Sequence, residues 1–383
     1  MTSPRLPDRL TRRLRLPLIS APMLNVSGVD LVVAACRHGV IGAFPTLNAR
    51  SPAQLDQWLT EIESRLPDRL TRRLRLPLIS APMLNVSGVD LVVAACRNGV
   101  IGAFPTINAR SPGQLDQWLS EIESRLFAAP EEAAPFCANL IMRSPRLADD
   151  LACLVNHRVE LVIASVGSPA PVVDALHAIG CLVLADVATL THARKAIAAG
   201  ADGLVLLTAG AGGQTGWLNP FAFVRALRAE YDGPLVMAGG MADGVALRAA
   251  QVLGCDLGMM GTRFIASRES LAVDAYRQML VEASIDDVML TRAFTGLPTS
   301  MLLPAIRRAG LDPAKLDETV TPPTAAQLWG GGSHRGADGG ETDGPKRWRD
   351  IWSAGHSVSG VRAVQSVDAL VAEVEQEFHR AVA

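Results

Sequence analysis

The chain has 383 residues, of which 49% are hydrophobic and 19% are charged, and its formal net charge is -2. This is the composition of an ordinary globular protein, long enough for one large domain or two smaller ones. The near-neutral charge and an aromatic content of 4% exclude an electrostatic case for nucleic acid or an anionic membrane surface, and they argue against a base-stacking surface.

The cysteines and the hydropathy of the chain indicate the cellular compartment. The six cysteines form no CxxC pair, and most lie in apolar segments, as buried free thiols do. No run reaches the roughly 18 apolar residues that a membrane span needs. We therefore predict a reducing, cytoplasmic location. The basic segment 5–15 is faintly like a transit peptide, but the same residues recur at 65–75, which weakens a targeting role.

The chain begins with a tandem duplication. Residues 5–64 and 65–124 match at all but four positions. Two near-identical copies followed by unrelated sequence differ from a solenoid array, which has several diverged repeats. Because the second copy runs directly into the remaining chain, we take it as the integral one. Residues 1–64 should then be a surplus β-α-β-α segment that packs outside, swaps between chains or stays poorly ordered.

From Leu76 onward, short apolar runs alternate with amphipathic stretches. Eight strand–helix units over about 200 residues predict a parallel eight-stranded (β/α) TIM barrel of the α/β class at residues 65–284. A doubly wound open sheet is the alternative. The predicted strands are Leu76–Pro82, Gly99–Phe104, Phe136–Met142, Leu161–Val166, Cys181–Val187, Gly203–Leu207, Pro234–Ala238 and Leu257–Met260. The predicted helices are Val86–Arg97, Pro112–Leu126, Leu147–His157, Pro171–Ile179, His192–Ala199, Phe221–Tyr231, Gly244–Leu253 and Glu269–Ala283.

Residues 285–383 are predicted to be a C-terminal flank or cap rather than an independent core. A helix is expected near 300–309, and a longer one at 367–380 closes the chain. Between them, residues 330–344 have the glycine-rich composition of a flexible linker.

The sixth predicted strand runs into a loop, residues 204–216, that is almost without side chains. Four of its residues are glycine, which tolerate positive φ and let the backbone approach a ligand. Gln214 is the polar, non-ionisable group in its middle. Strand ends of this kind carry the chemistry of parallel α/β proteins, and a plain glycine turn is the alternative.

Two later strand ends also carry glycine. Gly239 and Gly240 follow the seventh strand, and Gly261 and Thr262 follow the eighth. Barrels commonly hold phosphate between these two loops, where backbone N–H groups converge. We therefore predict a phosphate site there, with tight turns as the alternative.

Proton-transfer and metal motifs are missing. The sequence has no HExxH, GxSxG or GxxxxGK[ST] pattern, and no histidine falls at the end of a barrel strand. His157, His177 and His192 fall on helices or helix starts, where we expect by default a histidine that faces solvent or has its hydrogen bonds satisfied. A bound cofactor therefore suits these strand ends better than an acid–base pair.

Two polar residues interrupt apolar strands. Asn139 should meet a ligand or a backbone group, because an unbonded buried amide is costly. For Asp186, pairing inside the barrel is favoured over a ligand contact. The segment 81–83 closes the first strand, with a core methionine as the alternative reading of Met83.

Five motifs together resemble the nitronate monooxygenase family, formerly called 2-nitropropane dioxygenase and related to FMN-dependent enoyl-reductases. The resemblance spans residues 70–310, and Trp352-Ser-Ala-Gly looks like a family tail motif. The motifs are Leu76-Pro-Leu-Ile-Ser-Ala-Pro-Met83, Asn139-Leu-Ile, Ala211-Gly-Gly-Gln-Thr-Gly216, Ala238-Gly-Gly-Met and Met260-Gly-Thr-Arg-Phe264.

The resemblance implies an FMN-dependent barrel. It places the phosphate on Gly239, Gly240, Gly261 and Thr262, and the flavin ring near Pro82, Met83 and Asn139, with Gly212 and Gly213 close to its reactive side. The family usually has histidine after the glycine pair, where this chain has Gln214. A carboxamide cannot accept a proton near neutral pH, but it can donate a hydrogen bond to a nitro oxygen, a carbonyl oxygen or the flavin.

The predicted activity is oxidation of nitronates or similar small activated substrates with O₂, and proton abstraction is expected to be weak or absent. NAD(P)H-dependent reduction of a quinone or enoyl thioester is the first alternative, with NAD(P)H as a transient visitor. A flavin-binding protein with little catalysis is the second. Small-molecule substrate and O₂ are the expected partners, and homo-oligomerisation is left open.

Overall fold

The computed structural model describes residues 16, 18–37, 40–65, 73–127, 133–330 and 344–381. These fall into two compact units, Met1–Arg72 and Arg73–Ala383. The basic segment 5–15 and all of the predicted linker except its two end residues lie outside the described ranges.

The first unit is small and mostly helical. It contains helix α1 (Val29–Arg37), a 3-10 turn (Thr46–Asn48) and helix α2 (Pro52–Arg65). Its buried apolar residues are Val29, Val32, Val33 and Ile62. One isolated parallel bridge joins Ile19 to Ile41.

The second unit is built on a closed barrel of eight parallel strands, as the sequence predicted. The barrel strands are β1 (Leu78–Ser80), β2 (Ile101–Pro105), β3 (Phe136–Ile141), β4 (Leu161–Ser165), β5 (Leu182–Val187), β6 (Gly203–Leu207), β8 (Leu235–Ala238) and β9 (Leu257–Met260). Their order around the barrel is β1-β2-β3-β4-β5-β6-β8-β9, and β1 pairs with β9 to close it.

Helices surround the barrel, and apolar side chains of the helices pack against apolar side chains of the strands. The helices of this unit are α3 (Val89–Arg97), α4 (Pro112–Leu126), α5 (Leu147–Asn156), α6 (Ala170–Ala178), α7 (Leu190–Ala198), α8 (Pro220–Arg228), α9 (Gly244–Leu253), α10 (Thr262–Ile265), α11 (Asp274–Glu282), α12 (Leu303–Arg308), α13 (Pro322–Trp329) and α14 (Val367–Arg380). Short 3-10 turns occur at Thr106–Asn108, Ile285–Asp287, Pro313–Lys315 and His356–Gly360.

Local sequence fixes where several helices begin. The side chains of Ser111, Thr189, Asp243 and Ser366 each accept a hydrogen bond from a backbone N–H in the first turn of the helix that follows. The continuous apolar runs form the strands because both faces of the barrel wall are covered. In β4, for example, all five residues are buried.

Two expectations for the later chain were wrong in detail. The loop after β6 contains a short strand, β7 (Gly213–Gln214), and the helix expected at 300–309 is preceded by a strand, β11 (Thr299–Leu302). Both join β10 (Val288–Thr291) in an antiparallel sheet of order β10-β11-β7. These segments are extended because they pair with one another across long sequence separations, which local propensity does not encode.

The C-terminal helix is part of the main core. Its residues Val367, Leu370 and Val374 belong to the apolar cluster between the barrel and its helices. A Cβ at Gly244 would lie 2.1 Å from the carbonyl oxygen of Val374, so the glycine permits a close approach of α9 and α14. In the described part of the chain, no helix combines the length and the apolar character needed to cross a membrane.

Candidate active site

A cavity of about 1080 Å³ opens at the carboxyl ends of the barrel strands. Residues at the ends of all eight strands line it, and the C-terminal segment 347–357 adds to its wall. This is the end of a barrel where catalytic groups gather. Its volume matches or slightly exceeds that of usual small-molecule sites, roughly 300–1,000 Å³.

All ten residues predicted for the site line this cavity. They are Pro82, Met83, Asn139, Gly212, Gly213, Gln214, Gly239, Gly240, Gly261 and Thr262. The strands bring together residues separated by up to 180 positions, because parallel strands deliver their carboxyl ends to one face.

The turn after β8 has the properties of an anion cradle. Gly239 and Gly240 have φ values of 133° and 72°, which side chains rarely adopt. Within the described chain, no acceptor takes the backbone N–H groups of Gly239, Gly240 or Met241. Three consecutive free donors beside a cavity suit the oxygens of a phosphate monoester. A Cβ at Gly239 would lie 2.5 Å from the hydroxyl oxygen of Thr208, whereas the space around Gly240 is open.

The turn after β1 is held by hydrogen bonds from residues of the second copy of the repeat. The backbone N–H of Met83 donates to the Ser87 hydroxyl at 3.0 Å. The Asn108 amide donates to the carbonyls of Met83 and Ser87, both at 2.9 Å. These bonds fix the turn that places Pro82 and Met83 at the cavity.

Asn139 meets protein groups, as one branch of its prediction required. Its amide nitrogen lies 3.0 Å from the Ile163 carbonyl oxygen and 3.1 Å from the Ser165 hydroxyl. Both amide hydrogens are therefore used within the barrel. Its carbonyl oxygen accepts a long hydrogen bond from the Ser165 hydroxyl, at 3.5 Å, and has a second lone pair that a ligand could use.

The C-terminal segment is fastened over the glycine loop. The His356 N–H donates to the Gly210 carbonyl at 2.9 Å, and the Gly355 N–H donates to the Thr262 hydroxyl at 3.0 Å. A Cβ at Gly212 would lie 2.8 Å from the nitrogen of Gly355. Glycine at 212 is therefore required by this close approach, and the tail motif is part of the site wall.

Stacked aromatic rings stabilise this wall. Tyr276 stacks on Trp352 with ring centroids 4.7 Å apart, and its hydroxyl donates to the Ser353 carbonyl at 2.5 Å. The Arg308 guanidinium lies 3.6 Å from the centroid of the Trp352 ring. Burial raises the pKa of Tyr276 to about 12, so this phenol stays protonated at neutral pH.

Gln214 is exposed and lines the cavity, with no hydrogen bond to its carboxamide in the described structure. Its backbone is ordered by pairing in β7, opposite Thr299. The side chain is therefore free to turn toward a ligand while its backbone position is set.

The interpretation of Asp186 was wrong. Its carboxylate lines the cavity, and no hydrogen bond or ion pair joins it to another described residue. The strand delivers it to the mouth of the barrel. One part of its surface faces the cavity and the rest is enclosed by the barrel, and burial raises the pKa of Asp186 to about 7.

The default reading of the three histidines, solvent-facing or satisfied, is confirmed. His157 lies between Asp116 (2.9 Å) and Glu123 (3.1 Å), and His177 pairs with Asp202 at 2.9 Å. The carboxylates raise the pKa of His157 against an opposing desolvation, which is the largest single effect. His192 is exposed to solvent, and the start of α7 places it on the cavity wall.

Sequence reasoning missed the basic residues of the cavity. Arg143, Lys195, Arg292 and Arg347 line it, and no ion pair neutralises them within the described ranges. They come from four separate segments with no common spacing, so no motif could have identified them. Four cations face one carboxylate, and the cavity therefore favours anions.

Backbone strain also marks this cavity. Val166, directly after β4, has φ 58°, and Trp348 has φ 66°. Positive φ is a true outlier for a β-branched residue such as valine. Both residues line the cavity, in keeping with the tendency of such outliers to cluster at ligand sites.

Comparison with known proteins identifies the relatives of this chain. The sequence model of the nitronate monooxygenase family matches residues 69–377. A nitronate monooxygenase from Pseudomonas aeruginosa is 31% identical over 292 residues, covering 63% of this chain and 82% of the relative. One from Paraburkholderia phytofirmans is 26% identical over 350 residues, covering 80% and 93%. The solved structure of FabK from Thermotoga maritima superposes with a TM-score of 0.68 at 25% identity, covering 82% of this chain and 96% of that one.

Proposed function

Because this chain belongs to the nitronate monooxygenase family and is an oxidoreductase enzyme, we propose that it binds FMN and oxidises nitronates or similar small activated substrates with O₂. The observation that carries the proposal is the glycine cradle after β8, which opens into a mainly apolar cavity of sufficient volume. A bound flavin would accept electrons from the substrate and pass them to O₂.

The residues that would hold the cofactor fall into two groups. Gly239, Gly240, Gly261 and Thr262 would bind the phosphate, mainly through backbone N–H groups. Pro82, Met83, Asn139, Gly212 and Gly213 would contact the ring. A side-chain cation is not needed in the cradle, because free backbone N–H donors already supply partial positive charge.

Gln214 would orient the substrate rather than deprotonate it. A carboxamide donates a hydrogen bond to a nitro oxygen but has no basic nitrogen. A nitronate is already an anion, and it would be attracted by the basic residues of the cavity. These two properties favour a pre-ionised substrate over one that Gln214 itself must ionise.

The cofactor proposal is tested on the purified protein. We expect a flavin absorption spectrum that bleaches when ethyl nitronate is added without oxygen and returns when air is admitted. Protein that carries flavin but is not reduced by nitronate or by NADPH would support a binding protein with little catalysis. Protein that takes up no flavin would refute both readings.

A matched pair of variants tests the cradle itself. Gly240 and Gly310 are both exposed, have φ of 72° and 78°, and have open space where a Cβ would lie. Gly240→Ala and Gly310→Ala should therefore strain the backbone equally, by about 1 kcal/mol. Only Gly240→Ala should weaken FMN binding, by roughly tenfold or more, measured by equilibrium dialysis. Equal FMN affinities in the two variants would mean that the phosphate does not bind at the turn after β8.

A second candidate is NAD(P)H-dependent reduction of a quinone or an enoyl thioester. The four unpaired cations favour it, since a nitronate carries a single charge and needs fewer. NAD(P)H, or a thioester of a phosphorylated carrier, has several negative charges. Anaerobic bleaching by NADPH at a rate above that by nitronate would select this candidate.

A further inference from the structure

The site has an acidic side chain for which the proposed chemistry has so far no role. Asp186 is the only carboxylate among the described residues that line the cavity. Gln214 cannot accept a proton, so a neutral carbon acid entering this site needs another base.

Strand geometry aims Asp186 into the barrel mouth. Val183, Ala185 and Val187 pack in the apolar clusters that face the surrounding helices. Side chains alternate along a strand, so Leu184 and Asp186 face inward. Asp186 is the last inward residue of β5 and thus the one nearest the cavity.

The neighbouring strands place it beside the other site groups. Ala164 of β4 lies opposite Ala185, so Ser165 and Asp186 each stand one residue further toward the mouth. Ser165 is the partner of Asn139. On the other side, a Cβ at Gly216 would lie 3.4 Å from the Ala188 methyl, so the loops after β5 and β6 are adjacent. The first of these loops follows Asp186 and the second contains Gln214.

The charged and titratable groups around Asp186 leave it unneutralised. Cys137 on β3 also faces inward, and burial, with a smaller effect of Asp186, holds the pKa of this thiol well above its ordinary value. Arg143 follows β3, and His192 and Lys195 stand on α7. None of the three forms an ion pair or hydrogen bond with Asp186 among the described residues. Arg292 and Arg347 line the cavity from the C-terminal part and likewise have no such contact.

We propose that Asp186 is the general base of this enzyme for neutral nitroalkane substrates, taking the role that an imidazole at position 214 would otherwise have. The inference rests on the proposed oxidation of nitronates, which it extends to their neutral parents. In this step the carbon–hydrogen bond breaks, the proton passes to a carboxylate oxygen of Asp186, and the electron pair remains on the substrate as the nitronate. No oxidant takes part.

The environment of Asp186 suits this role. A base is most useful when its pKa lies near the working pH, and burial places that of Asp186 at about 7. The carboxylate acts only when deprotonated, so kcat/KM for nitroethane should rise with pH and level off above about 7. The profile for ethyl nitronate should lack this inflection, because that substrate has no proton to give.

The test compares Asp186→Asn, which keeps the shape of the side chain, with Asp174→Asn on the exposed face of α6. Asp186→Asn should lower the ratio of kcat/KM for nitroethane to that for ethyl nitronate by about 100-fold or more. Asp174→Asn should not change it. In the double variant Asp186→Asn/Gln214→His, the imidazole should restore much of the lost ratio.

A second readout is independent of oxidation. Without oxygen, the wild-type protein should accelerate exchange of the α-deuterium of [1,1-²H₂]nitroethane with water, followed by NMR, and Asp186→Asn should remove this acceleration. Exchange that persists in Asp186→Asn, or an equal fall for both substrates, would overturn the assignment. A protein that exchanges deuterium but does not oxidise ethyl nitronate would refute the proposed oxidation and leave the base assigned.

Discussion

The two copies of the repeat have nearly the same sequence but very different environments. In the second copy, Ile79 and Leu119 are fully buried, whereas their counterparts Ile19 and Leu59 are 58% and 48% exposed. Val86 is 4% exposed and Val26 is 65% exposed. Since the side chains are the same in each pair, position in the fold rather than residue type decides burial.

Local structure is the same in both copies. The Asn48 amide donates to the carbonyls of Met23 and Ser27, as Asn108 does to those of Met83 and Ser87. Asn25 and Asn85 both have φ 57°. Helices α1 and α3 begin and end at equivalent residues. Turns and helices form from contacts close in sequence, so each copy reproduces them alone.

The two copies of the repeat differ in how their strands pair. In the second copy, β1 and β2 pair with each other and with β9 and β3. The equivalent residues of the first copy form one isolated bridge, between Ile19 and Ile41, among those described. A strand needs partners from elsewhere in the chain, and the comparison shows that the sequence of the strand alone does not supply them.

The largest expected contrast is in stability. Leu119→Ala should lower the free energy of unfolding by about 3 kcal/mol, because it leaves a cavity in a packed core, and Leu59→Ala should lower it by less than about 0.5 kcal/mol. Urea denaturation of the two variants measures both values. Equal losses would mean that the first copy has a core as tightly packed as the barrel.

Thiol reactivity should distinguish the copies next. Cys36 is partly exposed, whereas Cys96 is buried and burial raises its pKa to about 12. A thiol reagent at pH 8 should therefore modify Cys36 roughly 100-fold faster than Cys96. Mass spectrometry of the labelled peptides gives the two rates. Cys36→Ser should remove the fast phase and Cys96→Ser should retain it; the reverse would contradict the burial of the second copy.

A smaller contrast concerns the proposed binding of FMN. Asn108→Ala frees the turn that places Pro82 and Met83, and it should weaken FMN binding about tenfold, which corresponds to about 1.4 kcal/mol. Asn48→Ala removes the same bonds in the first copy and should leave the FMN dissociation constant unchanged. Fluorescence titration measures both, and a matching loss in Asn48→Ala would give the first copy a role in binding.

The smallest effect is expected from a pair of deletions. Removing residues 5–64 or residues 65–124 leaves one copy directly before Arg125, and the two products differ at only four positions. Both should form the barrel, with unfolding midpoints within about 5 °C of each other. Alanine at the position of Gly113 favours helix α4 slightly, by up to about 1 kcal/mol. If only one product folded, the four differences rather than chain position would decide which copy is integral.

Much of the cavity lining could be predicted from the sequence, because strand ends and turns are encoded locally. Gly239, Gly240, Gly212 and Gly213 follow buried runs, and the strand–helix alternation alone brings such ends together. Asp186 was visible as a polar residue in an apolar strand, but its lack of a partner was not, because pairing depends on residues far away in the chain. The sheet that joins β7 to β10 and β11 was missed on the same grounds.

The sequence by itself determined the barrel, the pattern of polar and apolar residues along its strands, the turns and helix ends, and the glycines of the cavity. These features depend on periodicity and short-range hydrogen bonds. Only the tertiary structure decided which copy of the repeat is buried, which cations surround the cavity, and that Asp186 stands free within it. These depend on contacts between distant residues, and an identical stretch of sequence gains or loses them according to the neighbours it meets.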